Sequence, residues 1–319
     1  MPFRRTWFLG LTAAAAAMTV AATGARADPV KFGSVVGFND FSSIGGLINL
    51  QGSATTVATA NGAVLSLTQG TTQNQAGSAI LASPFALGPD GAFNASFRFQ
   101  ITPGPSGPAD GFTFVLQQGA ASSPQPGGNL GYYGTPNSVA IEFDTYNNLS
   151  PTTGGGPISQ GGAGDVNDNH VAVDVNGLLN DFASASPYGV GTNSPWACNS
   201  ATNGAGCLAN GDIWSAMVSY AHGKLNVTVQ DGGASPDTVI NGYAIDLPNV
   251  LGTNAPYIGF TGGDGGLTSS QQILSLNVAA AIHDPPPPLP APVPEPGSLA
   301  LFASGVAALV VWRRRRARA

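Results

Sequence analysis

Val139-Ala140-Ile141-Glu142-Phe143-Asp144-Thr145-Tyr146-Asn147-Asn148 is the stretch that decides how the rest of this chain reads. Its odd positions Val139, Ile141 and Phe143 are apolar, while the even positions run Ala140, Glu142, Asp144, Tyr146 and Asn148. Successive side chains of a strand point to opposite faces, so the pattern predicts a strand with one packed face and one face that gathers carboxylates. His170-Val171-Ala172-Val173-Asp174-Val175-Asn176 repeats the grain, with His170, Ala172, Asp174 and Asn176 between valines. Two such faces side by side concentrate oxygen and imidazole ligands. Short alternating runs recur at 64–68, 93–101, 111–116, 225–229 and 273–278, separated by Gly and Asn, and these are predicted strands. Outside the two termini no window of twelve or more residues carries a helical apolar stripe. The expected fold class is therefore all-β, a sandwich of antiparallel sheets.

The ends are read separately. Residues 1–27 carry Arg4 and Arg5, an apolar run over 7–22, and then Ala25-Arg26-Ala27, the order of a cleaved secretory signal. Arg4-Arg5-Thr6-Trp7-Phe8 also has the form of a twin-arginine signal, so two export routes stay open. Proline crowds the chain from His283 to Pro296, which excludes a helix or central strand and predicts a stiff linker over 283–292. Residues 28–282 between these ends form one predicted domain, long enough for one large core.

Over 293–319 come Val293-Pro294-Glu295-Pro296, an apolar run over 298–312, and Arg313, Arg314, Arg315, Arg316 and Arg318. This order resembles the PEP-CTERM sorting signal of Gram-negative bacteria. The resemblance implies recognition by an exosortase-type enzyme, removal of the tail, and release or attachment at the cell surface. As a helix the apolar run is about 22 Å long at about 1.5 Å per residue, short of a bilayer core of roughly 30 Å. The expectation is a transient inner-membrane anchor with its arginines on the cytoplasmic side.

Charge is distributed unevenly. Between 28 and 292 only Lys31, Arg98 and Lys224 are basic, against sixteen acids, a net charge near −13. Such a surface repels phosphate backbones, which argues against nucleic acid as a partner, and suits cations or neutral ligands. Cys198 and Cys207 are the only cysteines; in an oxidising destination they can pair in one way, and a disulfide closing a small loop is expected.

Glu142 and Asp144 two residues apart on one face repel each other as free carboxylates, and a bound cation removes that cost. Calcium takes six to eight oxygens, and Asp144, the Tyr146 carbonyl, the Asn148 amide oxygen and Asp165 can supply several. His170 with Glu142, Asp144 and Asp165 is a mixed nitrogen and oxygen set that suits manganese or another transition metal. Glu142-Phe143-Asp144-Thr145-Tyr146-Asn147-Asn148 followed by Asp165-Val166-Asn167-Asp168-Asn169-His170-Val171-Ala172-Val173-Asp174 resembles the metal-binding signature of L-type, legume-lectin-like proteins. That resemblance implies a concanavalin-like jelly roll in which Glu142 and His170 hold the transition metal, Asp144 and Asp165 bridge both ions, and Tyr146 and Asn148 complete calcium. Sixteen residues, 149–164, separate Asn148 from Asp165 where relatives have a handful, so Asp168 stands as a rival for the Asp165 role.

The same resemblance implies a sugar site. Ala109-Asp110-Gly111-Phe112 is similar to a motif whose Asp accepts hydrogen bonds from two sugar hydroxyls, often across a cis peptide. Gly127-Gly128-Asn129-Leu130-Gly131 is similar to the loop that offers a backbone N–H, here that of Gly128. Asn148 turns its amide N–H to the sugar while its oxygen faces calcium, and Tyr146 offers a ring face to a pyranose. Gly262-Gly263-Asp264-Gly265-Gly266-Leu267 occupies the place of a further recognition loop, with Gly263 and Asp264 as its candidate contacts. Phe38-Asn39-Asp40-Phe41, Leu50-Gln51-Gly52, Leu65-Ser66-Leu67-Thr68 and Phe97-Arg98-Phe99 also resemble the family's opening strands.

The functional expectation is calcium-dependent binding of carbohydrate or exopolysaccharide by an exported lectin at the cell envelope, cell surface or extracellular matrix. Two alternatives stay open. One is a structural matrix protein on the same fold that binds no sugar. The other is a laminarinase-type glycoside hydrolase, whose strand carries Glu-x-Asp-x-x-Glu; here the third position is Asn147, so the second carboxyl group that retaining hydrolysis needs is missing. No nucleophile motif appears, and no enzymatic activity is expected.

Overall fold

The computed structural model describes residues 31–88, 91–148, 165, 168–179 and 204–282. The expected export signal, the expected proline-rich linker, the C-terminal tail and Cys198 lie outside the described residues. In chain order the strands are β1 (Lys31–Phe38), β2 (Ile48–Gly52), β3 (Thr55–Thr59), β4 (Gly62–Thr68), β5 (Ala76–Leu81), β6 (Phe93–Pro103) and β7 (Gly111–Gln117). They continue with β8 (Ser138–Asp144), β9 (His170–Val175), β10 (Ile213–Ala221), β11 (Lys224–Asp231), β12 (Asp237–Ala244), β13 (Tyr257–Gly263) and β14 (Ser269–Ile282). The one α-helix of the described residues is short, α1 (Leu247–Leu251). No helix among them is long and apolar enough to cross a membrane.

The strands form two antiparallel sheets. The larger runs β12-β11-β10-β6-β14-β4-β3. Its long strand β14 pairs with β6 along one side; along the other it pairs first with β4 through Gln271 to Ile273 and then with β1 through Leu276 to Ile282. The smaller sheet runs β2-β5-β13-β7-β8-β9. The all-β antiparallel sandwich expected from alternation is the fold observed.

Alternation explains the core. On β6, Phe93, Ala95, Phe97, Phe99 and Ile101 are buried while Ser96 and Arg98 are exposed. Phe112 and Phe143 sit directly opposite in the β7–β8 register and stack at 4.7 Å with an interplanar angle of 2°. Phe97 meets Phe260 edge-on at 5.1 Å, and Phe99 stacks on Trp214 at 6.1 Å. This aromatic cluster sits between the sheets, directly behind the end of β8 that carries Glu142 and Asp144, and braces that end. The second face of β8 is covered as well: Ala140 packs with Leu130, Tyr132 and Leu179 in a smaller apolar cluster. Every residue of β8 is buried, so its carboxylates are held out of water.

Candidate functional site

Strand register assembles the first part of the site. Asp144 lies opposite His170 and Glu142 opposite Ala172 in the β8–β9 pair, which places Glu142 on the diagonals of His170 and Asp174. Ligand atoms of Glu142, Asp144 and His170 all lie within 4.8 Å of one another, and all three residues are buried. His170 Nδ1 is 4.0 Å from Asp144 Oδ1. Asn169 holds the approach to β9 through Nδ2 donating to the Gly206 carbonyl at 3.0 Å and Oδ1 accepting from the Leu208 N–H at 2.8 Å. That docks the turn bearing the buried Cys207 beside the start of β9.

The loop after β8 supplies the next groups. Asp144 Oδ1 accepts from the Tyr146 N–H at 2.8 Å, which turns the chain back over the carboxylate. Asp165, across the insertion, accepts from the Asn148 N–H through Oδ2 and is buried. Asp168, the rival for that role, is half-buried. The Asn148 Oδ1 atom is buried with no hydrogen-bond partner in the protein.

Asp110 sits at the start of β7, after a cis Ala109–Asp110 peptide. Its N–H donates to the Gly263 carbonyl at 3.0 Å, and its carbonyl accepts from the Thr145 N–H at 2.8 Å. Asn148 Nδ2 donates to Asp110 Oδ1 at 3.3 Å, while Asp110 Oδ2 is buried and unpartnered. Gly111 follows at φ 142°, where a Cβ would come within 2.3 Å of the Phe143 carbonyl oxygen, so only glycine lets β7 approach β8 this closely. On the far side, a Cβ at Gly265 would lie 3.4 Å from Asp110 Oδ2 and 3.6 Å from the Gly127 Cα. Asp110, the 125–131 loop and the 262–267 loop therefore meet at one point. Gly128 is half-buried beside them, and Tyr146 is 39% exposed at the rim.

Gly263 and Asp264 take a different place from the one expected. The Gly263 carbonyl accepts from the Asp110 N–H and from Gln271 Nε2, and Gly263 stands opposite Gly111 in the β13–β7 register. Asp264 is fully buried; its N–H donates to the Gln75 carbonyl at 3.0 Å, its carbonyl accepts from Gly127 N–H at 2.8 Å, and Oδ1 accepts from Gln75 N–H at 2.8 Å. Both residues hold loops together behind the surface, and the accessible backbone of this loop is that of Gly265 and Gly266. Sequence reading placed Asp174 on the His170 face without a role and passed over Tyr132. Asp174 is buried on the His170 face, and Tyr132 hydroxyl bonds Ser138 Oγ at 2.9 Å and accepts from Gly177 N–H at 3.0 Å. Burial first, then the charges of Asp174 and Glu142, push the Tyr132 phenol upward.

The electrostatics are those of acids buried together around one imidazole. Arg98 and Lys224 are exposed on the larger sheet. Burial pushes Asp144 well above the usual carboxylate range; His170 pulls it back, and the charges of Asp165 and Asp110 add to the rise. Burial raises Asp110 to about 6 against the pull of the Asn148 amide, and raises Asp264 to about 7. A divalent cation fits this set: an imidazole and clustered carboxylates on one side, an orphaned amide oxygen and a carboxylate on the other.

Comparison with known proteins agrees with the fold and the motif. A lectin-like protein of Arabidopsis thaliana is 29% identical over 206 residues, covering 59% of this chain and 69% of that protein. A lectin of Leucomphalos mildbraedii is 25% identical over 200 residues, covering 60% and 70%. A second lectin-like Arabidopsis protein is matched over 62% of its length, so the chain spans roughly two thirds of these relatives. Among solved structures, peanut lectin superposes with a TM-score of 0.58 at 22% identity, covering 80% of this chain and all of that one. Lectin II of Ulex europaeus gives 0.56 at 20%, covering 77% and 97%. Residues 292–316 match the PEP-CTERM protein-sorting motif, which implies export and a cell-envelope or extracellular location. Residues 36–288 match the legume lectin domain, and this chain belongs to that family of carbohydrate-binding proteins.

Proposed function

We propose that this protein is a calcium-dependent lectin, exported by a Gram-negative bacterium and displayed at its surface or in its exopolysaccharide matrix. The observation that carries this reading is the meeting of Asp110, Asn148 and the glycine loops at the edge of the carboxylate–histidine cluster. Asn148 Oδ1 and Asp110 Oδ2 are both buried there without protein partners. Asp144, the Tyr146 carbonyl, Asn148 and Asp165 would hold calcium, and Glu142, Asp144, Asp165 and His170 would hold manganese or another transition metal, which would add positive charge among the buried acids. Asn148 then keeps its amide nitrogen toward Asp110 and the sugar. Asp110 accepts from sugar hydroxyls, Gly128 donates its N–H, and the Tyr146 ring covers the apolar face of a pyranose. No residue here is assigned to catalysis.

The remaining assignments rest on the sequence. Residues 1–27 are the export signal, 28–282 the lectin domain, 283–292 a linker and 293–319 the tail handled by an exosortase, with transient anchoring through its apolar run. A Cys198–Cys207 disulfide is supported by the absence of a free thiol at Cys207.

A glycan array tests the reading. The lectin UEA-II was solved with galactose and a Bauhinia forficata lectin with GalNAc, so the array carries both beside mannosides and β-glucans. Binding is expected in calcium and is lost with chelator. Asp110→Ala is expected to weaken it by about 10- to 100-fold, since a charged hydrogen bond is worth about 1.5 to 3 kcal/mol. Binding that ignores chelator and Asp110→Ala, or release of hydrolysis products, overturns the proposal.

A further inference from the structure

We propose that Asp264 is a positioning residue of the site: it contacts no sugar, and it fixes Asp110 and the Gly127–Gly128 backbone by joining three loops at one buried point. The inference rests on the sugar-binding reading above and revises the role of one residue within it.

In Gly262-Gly263-Asp264-Gly265-Gly266, Asp264 is the single side chain. Four glycines give this segment many accessible conformations and nothing to pack, so its order comes from backbone bonds, from Asp264, and from the Gln271 and Gln73 amides that donate to the Gly263 and Gly266 carbonyls. That side chain is turned inward. Through Oδ1 it accepts the Gln75 N–H at 2.8 Å, a contact spanning 189 positions of sequence. The backbone on either side continues the same seam: Asp264 N–H donates to the Gln75 carbonyl at 3.0 Å, and Asn74 N–H donates to the Gly265 carbonyl at 3.1 Å.

The partner loop is itself closed, because Gln75 Oε1 accepts the Gln69 N–H at 2.7 Å, and Thr268 Oγ1, just beyond the glycine loop, donates to its Gly70 carbonyl at 2.7 Å. Asp264 therefore clips a floppy loop to a preformed one. What the clip sets is the geometry of the sugar groups. Consecutive carbonyls, those of Gly263 and Asp264, accept the Asp110 N–H at 3.0 Å and the Gly127 N–H at 2.8 Å. A shift of Asp264 moves both partners together, and with them Gly265, which lies over Asp110 Oδ2. Asp264 Oδ2 is buried and unpartnered. Asparagine keeps an oxygen that can accept the Gln75 N–H, so it retains the clip while removing the carboxylate.

The experiment uses the mature domain in calcium, with the galactose, GalNAc, mannose and β-glucan array as probe. Asp264→Ala is expected to weaken array binding by about tenfold or more, with calcium affinity by calorimetry, using calcium alone, within about threefold of wild type. Asp264→Asn is expected to restore sugar binding to within about threefold, whereas a carboxylate that touched sugar would be lost in both variants. Amide hydrogen exchange at Gly127 and Gln75 is expected to quicken in Asp264→Ala but not in Asp264→Asn, with β8 unchanged. Array binding lost equally in Asp264→Asn overturns the positioning role, as does unchanged exchange at Gly127 and Gln75 in Asp264→Ala. A wild-type domain that binds no glycan overturns the sugar-binding reading itself, and the exchange data then decide the loop clip independently.

Discussion

Asp110 uses one carboxylate oxygen on Asn148 and leaves the other buried and free for a ligand. Burial raises its pKa from 3.8 to about 6. Because the folded value exceeds the unfolded one, the folded state holds the extra proton between those values. Ionised Asp110 thus costs stability above about pH 6, and the cost fades as pH falls toward 3.8. Sugar binding runs the other way, since a protonated carboxyl loses an acceptor that two hydroxyls need. Calcium held at Asn148 would pull this pKa down, so with calcium kept saturating glycan affinity is expected to fall only as pH drops well below 6, and Asp110→Asn, already weak, is expected to show no such step. A wild-type affinity that stays flat on acidification for as long as calcium remains saturating would count against Asp110 as the acceptor.

At the scale of elements, legibility followed the alternation of apolar and polar residues. β8 and β9 were readable because apolar and polar residues alternate along them, and their pairing brings His170 opposite Asp144. β5 and β13 carry no such signal: Ala76–Leu81 and Tyr257–Gly263 are buried on both faces from their second residue on, so period two is absent from their sequences. Asp144, Glu142 and His170 could be grouped from strand spacing, whereas the tie between Gln75 and Asp264 spans loops whose glycines carry no pattern. Asp264 read as a surface contact because nothing in Gly-Gly-Asp-Gly-Gly says which way its side chain turns. The approach of β7 to β8 is an element-scale constraint with a test. Gly111 at φ 142° would place a Cβ 2.3 Å from the Phe143 oxygen, so Gly111→Ala is expected to cost at least about 1 to 3 kcal/mol for the backbone strain alone. Urea unfolding measures it; a midpoint equal to wild type would show that the strands separate there without cost.

Across the whole molecule the decisive quantity is charge held in the wrong medium. Sixteen acids face three bases between 28 and 292, and Glu142, Asp144, Asp165, Asp174, Asp110 and Asp264 are all buried. Asp144, Asp110 and Asp264 are each raised by burial before any other cause. Raised carboxylates bind more protons in the folded state than in the unfolded one, so Asp110 and Asp264 make stability fall as pH rises from about 4 to about 7, and Asp144 acts in the same direction. Cations relieve the same strain by a different route, and protons compete with them for the same oxygens. Metal bound at a hundredfold excess over its dissociation constant stabilises by about 2.7 kcal/mol, which for a domain of this size is a Tm shift of about 5 to 10 °C. Chelator is therefore expected to lower Tm by that amount near pH 7.5 and by much less near pH 5. The metal-free domain is expected to melt higher at pH 5 than at pH 8, and the metal-loaded domain to show the reverse order. Calorimetry on one preparation, with and without EDTA at both pH values, reads all four states. Equal melting in all of them would mean that the buried acids are neutralised by something other than a cation or a proton.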